Sequence, residues 1–155
     1  MNTLNQAAMA PKSWILDRPD EAVSEADLEA LGVECFSLDT TGVLEGSNAE
    51  YEELCSDRGY TFRDTVDSSE IDLEKMLQIE HLHDDDEVRF FLQGSGYFDV
   101  KNADDEFIRM HCVPGDLISL PKGIYHRFMP DEKKEFYVVR LFQGEPVFEG
   151  QDRKN

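Results

Sequence analysis

The chain has 155 residues, 40% of them hydrophobic, and a formal net charge of −19. That length and apolar content suit one domain with one core. The charge repels nucleic-acid phosphates and anionic membrane, so neither is expected as a partner, and a monomer is the expected state. No apolar run reaches the roughly 18 residues of a membrane span. Residues 1–10 lack a basic n-region and a long apolar h-region, so no secretory signal is expected. Cys35, Cys55 and Cys112 are widely spaced and read as reduced thiols. A cytoplasmic location is expected, with the nucleus also open to a eukaryotic protein.

In chain order, residues 1–12 read as disordered and 13–155 as a single domain. Trp14 to Asp17 is a short strand candidate. Ser24-Glu-Ala-Asp27 has the form of a capping box opening a helix that Gly32 stops. Val33 to Leu38 is strand-like. Ser47 to Glu50 opens a second helix that ends near Gly59, and a third helical piece is expected around Ile71 to Leu77. From about residue 79 the character changes. Short runs rich in Val, Ile, Phe and Tyr alternate with turn signals such as Gly94-Ser-Gly96, Pro114-Gly-Asp116 and Pro121-Lys-Gly123. This predicts six or seven antiparallel strands in a small barrel or sandwich. The chain is therefore expected to be mainly β within an α+β class, with a mixed helical part over 13–78 and an all-β part over 79–148.

Residues 81 to 87 read His-Leu-His-Asp-Asp-Asp-Glu, and His126 closes Pro121-Lys-Gly-Ile-Tyr-His126. Strand alternation places His81 and His83 on one face. With Glu87 and His126 they make a nitrogen and oxygen donor set suited to a divalent transition metal. Four such ligands leave positions open on an octahedral ion, enough for a chelating substrate. A lone His-x-His pair on an exposed strand would be weak evidence; the two-part pattern is more specific. If Glu87 points inward, so do Arg89, Phe91 and Gln93. If His126 points inward, so does Phe128. Phe136, Val138, Arg140 and Phe142 share one face. Arg89 and Arg140 are thus candidates for charges inside the cavity, the alternative being that either pairs with an acid at the rim. His111 alternates with apolar Ile108, Met110 and Cys112, and is expected to face solvent.

The combined pattern HxHxxxExxxxxxG and PxGxxH resembles the cupin superfamily, whose members are antiparallel β-barrels, or double-stranded β-helices, around a metal. Lys75 stands where such motifs often open on glycine. The wider strings Glu80 to Val100, Gly115 to Phe128 and Arg140 to Val147 resemble the acireductone dioxygenase family of methionine salvage. The likeness is dense over residues 76–148 and fainter over 14–75, where Arg58-Gly-Tyr-x-x-x-Asp64 is one matching stretch. The resemblance implies metal ligands at His81, His83, Glu87 and His126 and one Fe(II) or Ni(II) per chain. It places Arg89, and as a second arginine Arg140, against the substrate, with Phe91 and Phe128 as pocket walls. It implies cleavage of the enediol 1,2-dihydroxy-3-keto-5-methylthiopentene by O₂. The products would be 4-methylthio-2-oxobutanoate and formate with Fe(II), or 3-methylthiopropanoate, formate and CO with Ni(II). Members commonly continue beyond a Gly-Glu-Pro-Val segment, so contacts from such a tail are expected to be absent. Two other readings share the pattern: another cupin oxygenase or isomerase, and a non-catalytic cupin binding module.

Overall fold

A computed structural model describes residues 11–72 and 87–144. The described chain runs β1 (Lys12–Ile15), β2 (Arg18–Ala22), α1 (Glu25–Ala30), β3 (Glu34–Ser37), α2 (Ala49–Arg58) and β4 (Phe62–Asp67). A 3₁₀ turn (Ser68–Glu70) follows, then β5 (Glu87–Gly94), β6 (Gly96–Lys101), β7 (Phe107–Cys112), β8 (Asp116–Leu120), β9 (His126–Pro130) and β10 (Phe136–Phe142). The strands form two five-stranded sheets, one ordered β2-β1-β7-β6-β9 and the other β3-β8-β5-β10-β4. Every pairing is antiparallel. The mainly-β, two-sheet architecture is the one the turn pattern predicts. Among the described residues no helix is long and apolar enough to cross a membrane.

The helix ends follow their local chemistry. Ser24 and Asp27 form the reciprocal capping box at α1. Asn48, one residue beyond the Ser47 start, caps α2 by accepting from the Tyr51 amide, and Gly59 closes it in the left-handed region at φ 73°. A 3₁₀ turn precedes the third helix expected around Ile71 to Leu77, and Ile71 itself is extended; residues 73–77 lie outside the described part, as do residues 1–10 of the expected disordered start. Lys12 already belongs to β1. Strands from the first part of the chain are woven into both sheets: β1 pairs with β7, β3 with β8 and β4 with β10.

The two faces of the second sheet are both covered. One packs on the first sheet, where Phe91, Ile118, Leu120 and Val138 meet Phe98, Val100, Ile108 and Met110. The other lies beneath α2, where Val88, Phe90, Leu117 and Val139 meet Tyr51 and Cys55. Tyr51 stacks on Phe90 with ring centroids 5.3 Å apart. This double cover is why β8 is buried at all five positions.

The outer face of the first sheet is built differently. Asp99, wholly buried, receives Arg109 and Arg127 at 2.8 Å each. Arg109 lies over Tyr97 at 4.4 Å and Arg127 over Phe107 at 4.2 Å. Cations stacked on rings thus shield a carboxylate that would otherwise be costly to bury.

One buried acid makes stability depend on pH. Asp116, 4% exposed, accepts the Val113 amide at 2.8 Å across the β7–β8 turn. Burial pushes its pKa up to about 6. The folded state therefore holds this proton more tightly than the unfolded chain does. The contribution is full below the ordinary carboxylate value and is lost as pH rises toward about 6. Asp116→Asn keeps the amide's acceptor and removes the charge. It is expected to stabilise the protein by about 2–3 kcal/mol near neutral pH and by close to nothing below about pH 4. Urea titration at the two pH values checks this; an equal difference at both would contradict it.

Candidate metal centre

Glu87 opens β5 in the second sheet and His126 opens β9 in the first, and the two sheets bring them face to face. His126 Nε2 lies 3.2 Å from Glu87 Oε1, with the imidazole 2% and the carboxylate 10% exposed. Nδ1–H of His126 donates to the Ile124 carbonyl at 3.0 Å. That bond fixes the ring and turns Nε2 toward the carboxylate. Burial works against a charged imidazole, but Glu87 and the Ile124 carbonyl outweigh it and raise the pKa of His126. A buried ring nitrogen facing a carboxylate oxygen is a donor pair of the kind that can hold a divalent ion. His81 and His83 lie outside the described residues.

Arg89 follows Glu87 by one strand repeat and shares its face. Its Nη2 is 3.2 Å from Glu87 Oε2, and its Nη1 donates to the Val88 carbonyl at 3.0 Å. Burial lowers the pKa of this guanidinium, Glu87 opposes the shift, and the charge of Arg140 adds to it. Arg140 stands opposite Arg89 across β5 and β10. Its Nε donates to Asp64 Oδ1 at 2.7 Å, and its Nη2 donates to the other Asp64 oxygen. The acid-pairing alternative for Arg140 is therefore what the structure contains, on the same face as Arg89.

Phe91 and Phe128 sit together with Phe98 and Phe136 between the sheets. The Phe91–Phe128 rings are 6.2 Å apart, and Phe128 contacts Phe98 and Phe136 at 5.1 and 4.8 Å. Phe91 is wholly buried. Gln93 does not join this inward set. The β5–β10 register matches Phe91 with Val138 and Gln93 with Tyr137, which leaves Leu92 as an extra residue. That bulge reverses the alternation, and Gln93 is exposed. His111 is only partly solvent-facing. It is 35% exposed, its Nε2 lies 3.2 Å from Asp131, and its ring lies 5.0 Å from Tyr97. Asp131 also accepts from Ser95, so His111 belongs to a turn-bracing cluster. Asp64 is the residue that strand parity alone missed; its signal was the matching stretch that ends on it.

The comparisons with known proteins agree with one another. The family profile described as "ARD/ARD′ family" matches residues 11–149. Acireductone dioxygenase of Ciona intestinalis is 44% identical over 145 residues, covering 86% of this chain and 78% of the relative. The Rattus norvegicus enzyme of the same name is 40% identical over 151 residues, covering 94% and 83%. Acireductone dioxygenase 4 of Arabidopsis thaliana is 39% identical over 158 residues, covering 90% and 83%. Among solved structures, acireductone dioxygenase from Bacillus anthracis, with a cadmium ion in its active centre, superposes with a TM-score of 0.75. It covers 91% of this chain and 95% of its own at 23% identity, a likeness of fold. By profile and by relatives alike, the chain belongs to the ARD/ARD′ family of cupin dioxygenases.

Proposed function

We propose that the protein cleaves acireductone, an electron-rich enediol, with O₂, using one Fe(II) or Ni(II) held by His81, His83, Glu87 and His126. The observation that carries this reading is the buried Glu87–His126 pair with Arg89 at its side, in a chain of this family. When bound, the metal supplies Lewis acidity and a template for a chelating enediol. The protein's own residues do the rest. His126 is oriented by the Ile124 carbonyl and Glu87 is steadied by Arg89, so the two donors keep their aim without substrate. Arg89, only 15% exposed, would place a positive charge beside an enediolate bound at Glu87 and His126. The half-buried Phe128 ring, with the wholly buried Phe91 behind it, suits an apolar methylthio tail. Anaerobic metal loading, followed by O₂ uptake with the enediol and product identification, tests the proposal. Stoichiometric uptake with carbon–carbon cleavage is expected; a loaded protein that consumes no O₂ with this substrate would overturn it.

Arg89→Leu is expected to keep its metal and to lower kcat/KM by about 10²–10³, the usual loss when one stabiliser of a developing anion is removed. Metal analysis beside steady-state kinetics checks this. Unchanged turnover at normal metal content would make Arg89 only an ion-pair partner of Glu87.

A further inference from the structure

Asp64, Arg140 and Arg89 stand opposite one another on β4, β10 and β5. Directly paired residues of neighbouring strands share a face, so these side chains form one row. Two positions along β5 from its inner end lies Glu87. Side-chain exposure falls from 32% at Asp64 and 25% at Arg140 to 15% at Arg89 and 10% at Glu87. The row thus leads from an edge strand inward to the candidate metal centre, with charges in the order minus, plus, plus, minus. Asp64 grips the Nε–Nη2 side of Arg140 with both carboxylate oxygens. The Phe142 ring lies 5.4 Å from the same guanidinium. Arg140 is therefore fixed both in position and in charge balance.

That balance matters to an entering anion. Two adjacent guanidiniums would both attract it, and one of them stands farther from Glu87. A guanidinium gripped by both oxygens of a carboxylate competes weakly, whereas Arg89 has a single Glu87 oxygen at 3.2 Å, on a carboxylate that a bound metal would share. We propose that Asp64 is a positioning residue: by engaging Arg140 it leaves Arg89 as the cation that draws the enediolate toward Glu87 and His126. The inference rests on the dioxygenase reading, but its test does not depend on turnover.

Asp64→Asn keeps the shape and removes the charge, which lets Arg140 compete for the anion. Binding of ascorbate, an enediol monoanion, to the metal-loaded protein is measured anaerobically by calorimetry. Its Kd is expected to fall about tenfold in Asp64→Asn, from the added net positive charge within reach of the anion. For the substrate, KM and kcat are expected to fall together, because the tighter pose lies away from the reacting centre. Asp64→Glu should restore parent behaviour. In an Arg140→Met background, Asp64→Asn should tighten binding far less than tenfold, because no guanidinium is freed. Unchanged or weaker ascorbate binding in Asp64→Asn would overturn the proposal. So would equal tightening without Arg140, or no ascorbate binding by any variant. A purely structural ion pair would lower the unfolding temperature without tightening the anion. If the parent bound ascorbate yet did not turn over the enediol, the dioxygenase reading would fail, while the affinities would still decide the role of Asp64.

Discussion

His126→Ala is expected to lose most of its bound metal and to fall to background activity, whereas His111→Ala keeps both. Both histidines contact a carboxylate at 3.2 Å, so the contrast is not one of pairing. It is one of place. His126 is 2% exposed between the sheets, with its second nitrogen held by a backbone carbonyl. His111 lies on the outer face of the first sheet and braces the turn at Asp131. Removing an imidazole ligand leaves an open position and a buried carboxylate with less positive charge near it, and both effects weaken a metal site. Removing His111 costs a part-exposed contact with Asp131, worth about 0–1 kcal/mol. Metal stoichiometry of the two purified variants, beside the parent, is the measurement. Equal loss in both would dismiss His126 as a ligand.

The second large effect concerns products. The proposed ligands are three imidazoles and one carboxylate, a set that accepts Fe(II) or Ni(II) without changing a residue. If pocket side chains alone fixed the outcome, any active metal would give one product set. Apoprotein reloaded with Fe(II) is instead expected to give the keto acid and formate, and apoprotein reloaded with Ni(II) to release CO as well. Headspace CO analysis on separately loaded samples decides it. CO from the pure Fe(II) form, or none from an active Ni(II) form, would be the contrary result.

The later strands were legible because each has one or two apolar faces and a turn signal after it, Asn102-Ala-Asp-Asp105 after β6 and glycine or proline after the others. Phe107 to Cys112 alternates cleanly, and its buried positions are Ile108, Met110 and Cys112. β2 was not legible: Arg-Pro-Asp-Glu-Ala is exposed throughout and is a strand only because β1 offers it a partner. β4 was missed for a related reason, since an edge strand carrying Arg63, Asp64 and Asp67 shows little apolar period. Alternation located Arg89 beside Glu87 but misjudged Gln93, because a bulge depends on the partner strand and not on local sequence. The Asp64–Arg140 grip needs the register of strands 76 positions apart, which no local pattern carries.

Glu87 and His126 descend from opposite sheets. An ion held by both is a staple between the two layers, fastened where each strand begins. Its occupancy then belongs to the mechanics of the sandwich as well as to its chemistry. Because only the folded chain assembles the donors, each tenfold rise in free metal above the dissociation constant adds about 1.4 kcal/mol against unfolding. On the proposed ligand set, metal supply would then set part of this protein's stability against unfolding.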